Sequence, residues 1–455
     1  MRHIVWRWLA ASSFFLALLA RAEVRPQYGG TLHVTMRAAP TTLDPADRGW
    51  QDSFGSRGVA FLIFDSLVEM DDSGQPGPAL AESWQATRGN QRWEFRLRAG
   101  VKFSDGTPLT PEAAAASLRV ANPSWNVSAS GGTVIIEQDA ADPEMLAELA
   151  LARNSIAKRD SDKIAGTGPF RVTEWQAGKQ LNLGANEEYW RGRPFVDGIQ
   201  IEMGKSFRDQ MTAFELRKAD LIEVAPEQTH RFQQEGRSLT SAGRMELLAL
   251  VFAKDATTPQ EKLLRQALAL SVERGSIRSV LLQGAGDPAA GILPTWVSGY
   301  GFVFSTDADL AKARQLRDQV RAIPTWTLAY DNSDGLSRLV AERVALNARD
   351  AGLSVRPMPD TIGDVRLLRV PIASGNPWVA FKQALSQAGL LAEKGKTESV
   401  EDLYAQEQST LSSDRIVPLF HLPASYAASP GLRDWALRMD GSWNLHEAWL
   451  EAPKP

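Results

Sequence analysis

Residues 166–184 read GTGPFRVTEWQAGKQLNLG and carry what a phosphate loop would use: glycines two apart, then a Gly-Lys pair. A dinucleotide fingerprint needs a third glycine where Arg171 stands, and a helix after it. An alternating β pattern follows instead. The other phosphate loop needs glycine at 173 and a hydroxyl after Lys179, where the chain has Thr173 and Gln180. The glycines therefore read as a tight entry into a strand, with Pro169 fixing φ. His33, His230, His421 and His446 are not paired at metal-ligand spacing, so each reads as a surface or satisfied core histidine. No Gly-x-Ser-x-Gly elbow occurs. The acidic pairs Glu187-Glu188 and Asp71-Asp72 sit in polar turns and read as solvated loops rather than acid and base. The expectation is a protein with no catalytic residues, no metal site and no cofactor.

The elements that frame these residues belong to a chain of 455 residues, long enough for two or three domains. It is 44% hydrophobic and 23% charged, ordinary for a globular protein, with a high count of 14 tryptophans. Residues 1–22 have a basic start, an apolar run and Ala20-Arg21-Ala22 as a small-x-small site, which predicts a cleavable secretory signal. There is no cysteine, so disulfides and a lipid-anchored N-terminus are both excluded. Loss of residues 1–22 removes Arg2, Arg7 and Arg21 and no acid, making the formal charge more negative than −4. Such a chain is a poor binder of nucleic acid or anionic membrane. The expected product is periplasmic, freely soluble and monomeric.

Alternation predicts strands over 31–36, 133–137 and 221–224, and a hairpin of 171–174 with 180–184 around Ala177-Gly178. Helices are predicted over 58–70, from Pro111 with Thr110 as its cap, and over 143–153 and 207–218. A single helix is predicted over 260–283, stopped by Gly284. Strand 326–330, helix 336–351 and strand 353–358 form a βαβ unit, so the two strands should be parallel. Further strands are expected over 246–252, 365–372 and 416–422, with a helix over 402–411. Mixed elements of this kind give an α/β fold class.

Several stretches together resemble one family. GGTLHVTMRAAPTTLDPAD, LVEMDDSGQPGPALAESWQ and WEFRLRAGVKFSDGTPLTPEAAAASL resemble the extracellular solute-binding proteins of family 5, the dipeptide, oligopeptide and nickel group of ABC-importer receptors. GTGPF with the later Asn186-x-x-Tyr189-Trp190, LRQALALSVERGSI, the segment 284–294 and the late strand 416–421 resemble further blocks of it. The resemblance implies a two-lobed periplasmic-binding-protein-like fold of type II, with a small extra domain inserted in the first lobe. Lobe I then comprises residues 23–47, 164–247 and 416–455, the extra domain 48–163, and lobe II 248–415. The chain would cross between lobes near 246–252 and 416–422. The implied function is capture of a small solute, peptide or peptide-like, between the lobes and its delivery to an inner-membrane ABC permease. No catalysis is implied.

One departure bears on the ligand. Peptide receptors of the family commonly carry Trp-x-x-Asp before a proline in the second lobe, where the aspartate pairs with the α-ammonium. Aligned on Pro377, RVPIASGNPW puts Val370 and Ala373 in those places, and no acid lies between Arg366 and Trp378. A buried ammonium without a carboxylate costs several kcal/mol. The rivals are therefore the same fold with a sugar, an opine-like compound or chelated nickel, or a sensor or partner-binding protein built on it. A secreted hydrolase lacks a nucleophile motif. In the family architecture the loop Ala39, Pro40, Thr41 and Thr42 faces the cleft. Tyr330 and Asp331 lie at the carboxyl end of a strand, where open α/β sheets meet ligands. Trp296 and Tyr300 follow a Gly/Pro-rich segment, and Trp378 is a candidate for lining the second lobe. For each aromatic the competing reading is core packing, and for Asp331 it is capping the next helix.

Overall fold

The computed structural model describes residues 25–71, 73–160, 163–300, 304–391 and 399–451. Residues 1–22, where a secretory signal is expected, lie outside the described residues.

One mixed sheet runs the length of the molecule. In spatial order its strands are Phe170–Gln176, Gln180–Ala185, Gly198–Glu202, Thr31–Thr35, Leu221–Val224, Ile416–Ala428, Leu239–Phe252, Val365–Pro371, Thr325–Tyr330 and Ser354–Pro359. The expected hairpin is present, antiparallel from Phe170 with Ala185 to Gln176 with Gln180. The expected βαβ unit is present too, with Thr325–Tyr330 parallel to Ser354–Pro359.

The two long strands hold the halves together. Leu239–Phe252 and Ile416–Ala428 run antiparallel and are longer than their sequence patterns predict. At one end Ile416–Ala428 pairs with Leu221–Val224, and at the other Leu239–Phe252 pairs with Val365–Pro371. The register slips between Ser241 and Glu246, where Pro423 faces Arg244. Proline has no N–H to give the ladder, so the pairing is interrupted there and the sheet can bend. The run LLALVF is continuously apolar because both faces are covered. Met245, Leu247, Ala249 and Val251 enter one apolar cluster, whereas Leu248, Leu250 and Phe252 enter another.

A third cluster, between Leu67 and Ile156, lies under a four-stranded sheet of Ala81–Thr87, Arg92–Leu97, Thr133–Glu137 and Asn126–Ser130. Helix Pro111–Ala121 packs on it, with the Thr110 hydroxyl accepting from the Ala113 N–H as the sequence predicts.

Three helices differ from expectation, the one predicted over 143–153 being only Met145–Leu149. The helix predicted over 58–70 is Phe54–Ile63, and Val68–Met70 is a strand. Ser53 caps its start, and the Gly168 N–H donates to the Ile63 carbonyl at its end. The helix predicted over 260–283 breaks after Pro259–Ser271. Val272 turns extended, and the buried Arg274 guanidinium donates to the carbonyls of Ala289 and Pro418.

Candidate functional site

The glycines at 166 and 168 are required by contact, not by a bound anion. Neither has a positive φ. A Cβ on Gly166 would stand 2.0 Å from the Ile63 carbonyl oxygen, and one on Gly168 would stand 2.6 Å from the Ile63 carbonyl carbon. The turn passes so close to the end of helix Phe54–Ile63 that no side chain fits. It thereby sets the direction of the segment that follows the helix, Asp65 to Met70.

That segment walls an open-mouthed cavity that encloses about 110 Å³. Five parts of the chain meet there. Asp65, Glu69 and Met70 come from the segment after the helix, with Ala147 and Leu151 beside them. Tyr189 and Arg191 come from the turn after the hairpin. Ala373, Ser374 and Gly375 follow strand Val365–Pro371, and Arg438, Asp440 and His446 come from the C-terminal coil.

Asp65 organises one wall. Burial pushes its carboxyl above the ordinary value, against hydrogen bonds from Trp190 Nε1 (3.0 Å), Thr167 Oγ1 (2.9 Å) and the Tyr189 hydroxyl (3.1 Å). The same burial, and the Asp65 charge, hold the Tyr189 phenol far above its ordinary value, so it stays a donor. The guanidinium groups of Arg98 and Arg191 lie over the Trp190 ring, 4.6 and 4.4 Å from its centroid. Arg191 also pairs with Glu69 at 2.6 Å. The His446 ring meets Tyr189 edge to face at 5.6 Å, and burial pushes its pKa down. Its imidazole is therefore neutral near pH 7, able to donate and accept.

Polar contacts also cross the groove beside this cavity. Arg57, 2% exposed, chelates Asp52 at 2.6 and 2.9 Å and donates to the carbonyls of Ile372 (2.9 Å), Pro371 (3.1 Å) and Asp440 (3.2 Å). Gln387 also donates to Asp52, at 2.9 Å. Lys382 pairs with Glu148 at 2.8 Å, and Asn376 donates to Glu144. A second, wider and more polar groove of about 720 Å³ adjoins the cavity and shares Leu151, Ala373 and Asp440 with it.

A second set of ions clusters beside the crossing strands. Arg369 pairs with Glu246 (2.5 Å) and with Asp334 (2.6 Å), and Arg37 lies 3.9 Å from both of those acids and 3.7 Å from Glu223. Burial raises the Asp334 carboxyl, but Arg369 and Arg37 outweigh it and hold it well below its ordinary value.

The sequence candidates scatter around this cavity. Ala39 and Pro40 pack on the hairpin turn, with the Pro40 carbonyl accepting from the Gly178 N–H at 2.9 Å. Thr42 Oγ1 accepts from the Asp44 N–H, and Thr41 stands beside Gly49. Trp296 is 45% exposed and lies with Trp435 in a separate shallow groove. Tyr300 packs edge to face on Tyr404. Tyr330 packs against the second-half core, and Trp378 is buried in the first turn of helix Pro377–Ala388. Asp331 does not cap the next helix. It closes a turn with Ser333, and Asp334 is the cap, accepting from the Leu336 N–H. Of the residues singled out in the sequence, Ala373 and His446 line the cavity, joined by Tyr189 of the Asn186-x-x-Tyr189-Trp190 block.

Asp65, Arg191 and Arg438 carry no sequence signal of their own; only its place directly after Trp190 could have pointed to Arg191. Among the described residues no cluster of His, Asp and Glu could hold a metal ion, and no helix is long and apolar enough to cross a membrane.

Comparison with known proteins identifies the family and the fold. The model of the bacterial extracellular solute-binding proteins, family 5 (middle region), matches residues 75–361. Protein XP55 of Streptomyces lividans is 26% identical over 428 residues, covering 85% of this chain and 74% of that protein. The probable D,D-dipeptide-binding periplasmic protein DdpA of Escherichia coli K12 is 25% identical, covering 65% of this chain and 64% of its own length. The nickel-binding protein NikA of Staphylococcus aureus is 24% identical, covering 50% of this chain and 49% of its own. The crystal structure of that NikA with Ni(L-His)2 superposes with a TM-score of 0.81 over 92% of this chain and 100% of that one, at 16% identity. AgaA from Agrobacterium tumefaciens R10, solved with agropinic acid, gives 0.78 at 19% identity over 93% and 99%. The fold is the two-lobed one of these receptors, and the chain belongs to family 5 of the bacterial extracellular solute-binding proteins.

Proposed function

We propose that the chain captures a small solute, peptide or peptide-like, in the cavity between its two lobes and delivers it to an inner-membrane ABC permease. The single observation that carries this reading is the cavity itself. Its walls come from chain segments on both sides of the crossing strands, with Asp65 and Tyr189 on one side and Ala373 to Gly375 on the other. A solute there would be enclosed by movement about the weak register between Ser241 and Glu246. Lobe I would comprise residues 23–47, 164–247 and 416–455, the extra domain 48–163 and lobe II 248–415. Export through the segment 1–22, release into the periplasm and action as a monomer without catalysis complete the reading. The names of the relatives support it, since DdpA is named a dipeptide-binding periplasmic protein.

Ala373 favours a second reading, in which the ligand is an opine-like compound, a sugar or a chelated metal. Under the alignment on Pro377, Ala373 stands where the family's aspartate would meet a peptide α-ammonium, although Asp65, Glu69 and Asp440 line the cavity elsewhere. Thermal-shift measurements on the mature chain against dipeptides, longer peptides, sugars and chelated nickel separate the two. A ligand at about 100 times its dissociation constant adds about 2.7 kcal/mol of stability. A shift with free dipeptides supports peptide capture; a shift with sugars or chelated nickel alone replaces it.

A further inference from the structure

The cavity and the groove beside it are separated by a thin wall. The cavity encloses about 110 Å³ and the groove about 720 Å³, and three residues, Leu151, Ala373 and Asp440, line both. Pockets that take drug-sized ligands run to about 300–1,000 Å³. The cavity alone therefore takes a small solute or one end of a longer one, while the groove has room for a longer chain. Of the three shared residues, Leu151 has the longest apolar side chain. It is 4% exposed and packs with Ala147 and Val379, against Met70 and Ala373, so it reaches from the turn after helix Met145–Leu149 to helix Pro377–Ala388. Its backbone is held on both sides. The Leu151 N–H donates to the Glu148 carbonyl at 3.1 Å, and its carbonyl accepts from the Asn154 N–H at 2.9 Å. The buried Asn154 amide in turn donates to the Glu148 carbonyl and accepts from Asn122 Nδ2 at 2.6 Å. A packed side chain on so fixed a backbone does not swing aside freely, and cutting it back leaves a gap that its neighbours only partly fill.

We infer that Leu151 sets the length of the captured solute by closing the cavity off from the groove. This rests on the solute-capture reading and deepens it: the chain takes short solutes, and the groove receives their longer homologues only where the wall is breached. The wall is apolar where Leu151 meets Ala373 and Val379, and the groove beyond it is polar, lined by Asp52, Arg57, Glu148 and Lys382. A solute crossing the wall would have to lay polar groups against Leu151 without hydrogen-bond partners, so the wall excludes by chemistry as well as by bulk.

The test uses a matched panel in thermal-shift and calorimetric titrations of the mature chain. The panel holds two ladders, alanine peptides from dialanine to penta-alanine, and glucose with maltose, maltotriose and maltotetraose. The proposal expects the parent to bind the shortest members of one ladder and to lose affinity as the chain lengthens. Leu151→Ala should raise the affinity for the longest members of that ladder roughly tenfold or more relative to the shortest. Leu151→Met refills the space with a side chain of similar volume and should lose that gain. The unfolding temperatures of the ligand-free variants check that they fold; if Leu151→Ala does not, Leu151→Val replaces it, with a smaller gain of the same sign. A parent that binds the long members as well as the short, or a Leu151→Ala variant that keeps the parent's ranking, would overturn the length claim and leave capture standing. No shift with any member, for parent or variant, would overturn both.

Discussion

Arg57 should be the most costly single side chain to remove from the cleft, because its bonds run to both sides of it. The guanidinium makes two bonds to Asp52, two to the end of strand Val365–Pro371 and its successor Ile372, and one to Asp440 in the C-terminal coil. Arg57→Leu keeps an apolar stem and deletes all of them. Asp52, whose side chain is 19% exposed, retains the Gln387 bond and regains some water. The carbonyls of Ile372 and Pro371 lose buried bonds and regain little. Breaking a buried pair by removing one partner costs about 3–5 kcal/mol. In domains of this size each kcal/mol lowers the unfolding temperature by about 2–4 °C, so the fall should be roughly 6–20 °C. The assay is thermal unfolding of the mature chain by circular dichroism at pH 7. The double variant Asp52→Asn with Arg57→Leu should recover part of the loss, since it removes the stranded carboxylate. A melting temperature within about 2 °C of the parent would refute the reasoning, for it would mean that the cross-cleft bonds are already replaced by water.

Four further outcomes follow from the geometry. Burial pushes the Glu407 carboxyl up to about 7, although it accepts from the N–H groups of Ile292 and Leu293. A raised carboxyl stabilises fully below its unfolded pKa near 4.5 and loses that contribution as pH rises through 7; Glu407→Gln should be flat between pH 5 and 8 in urea titrations while the parent falls by about 3 kcal/mol relative to it. Gly168→Ala places a Cβ 2.6 Å from backbone and should cost about 1–3 kcal/mol, whereas Gly275→Ala, with open space around it, should be neutral or stabilising in the same denaturant titration. Lys382→Ala removes a partly exposed pair to Glu148 and should lower solute affinity about two- to fivefold by calorimetry, with little change in melting temperature. Ala373→Asp should create or improve affinity for free dialanine and not for its N-acetyl form; unchanged binding would count against aligning Ala373 with the family aspartate.

Much of the frame was legible because periodicity and caps are local. Thr110-Pro111 opened its helix where expected, and the strands Thr133–Glu137 and Leu221–Val224 carry the alternation that predicted them. The helix at Phe54–Ile63 was misjudged because its end is set from 100 residues away, by Gly166 and Gly168 closing on Ile63. The break at Val272 likewise depends on Arg274 finding carbonyls on two other segments. The cavity was harder to read. Aromatic residues such as Trp378 drew attention by type, but Trp378 is held inward by the Asn376 cap and its apolar neighbours. Arg438, Asp440 and His446 lie in irregular coil, where no period marks which side faces the cleft. Asp65 follows a helix whose length had first to be known. Ala373 was found by what it lacks, because a resemblance can show a missing acid where composition cannot.

Small-angle X-ray scattering of the mature chain, alone and saturated with whichever compound of the matched panel stabilises it most, tests two-lobed capture most directly. Closure about the crossing strands predicts a smaller radius of gyration and a narrower distance distribution with the solute bound. Saturating binding with superimposable scattering curves would contradict it, since the solute would then be held without the lobes moving around it.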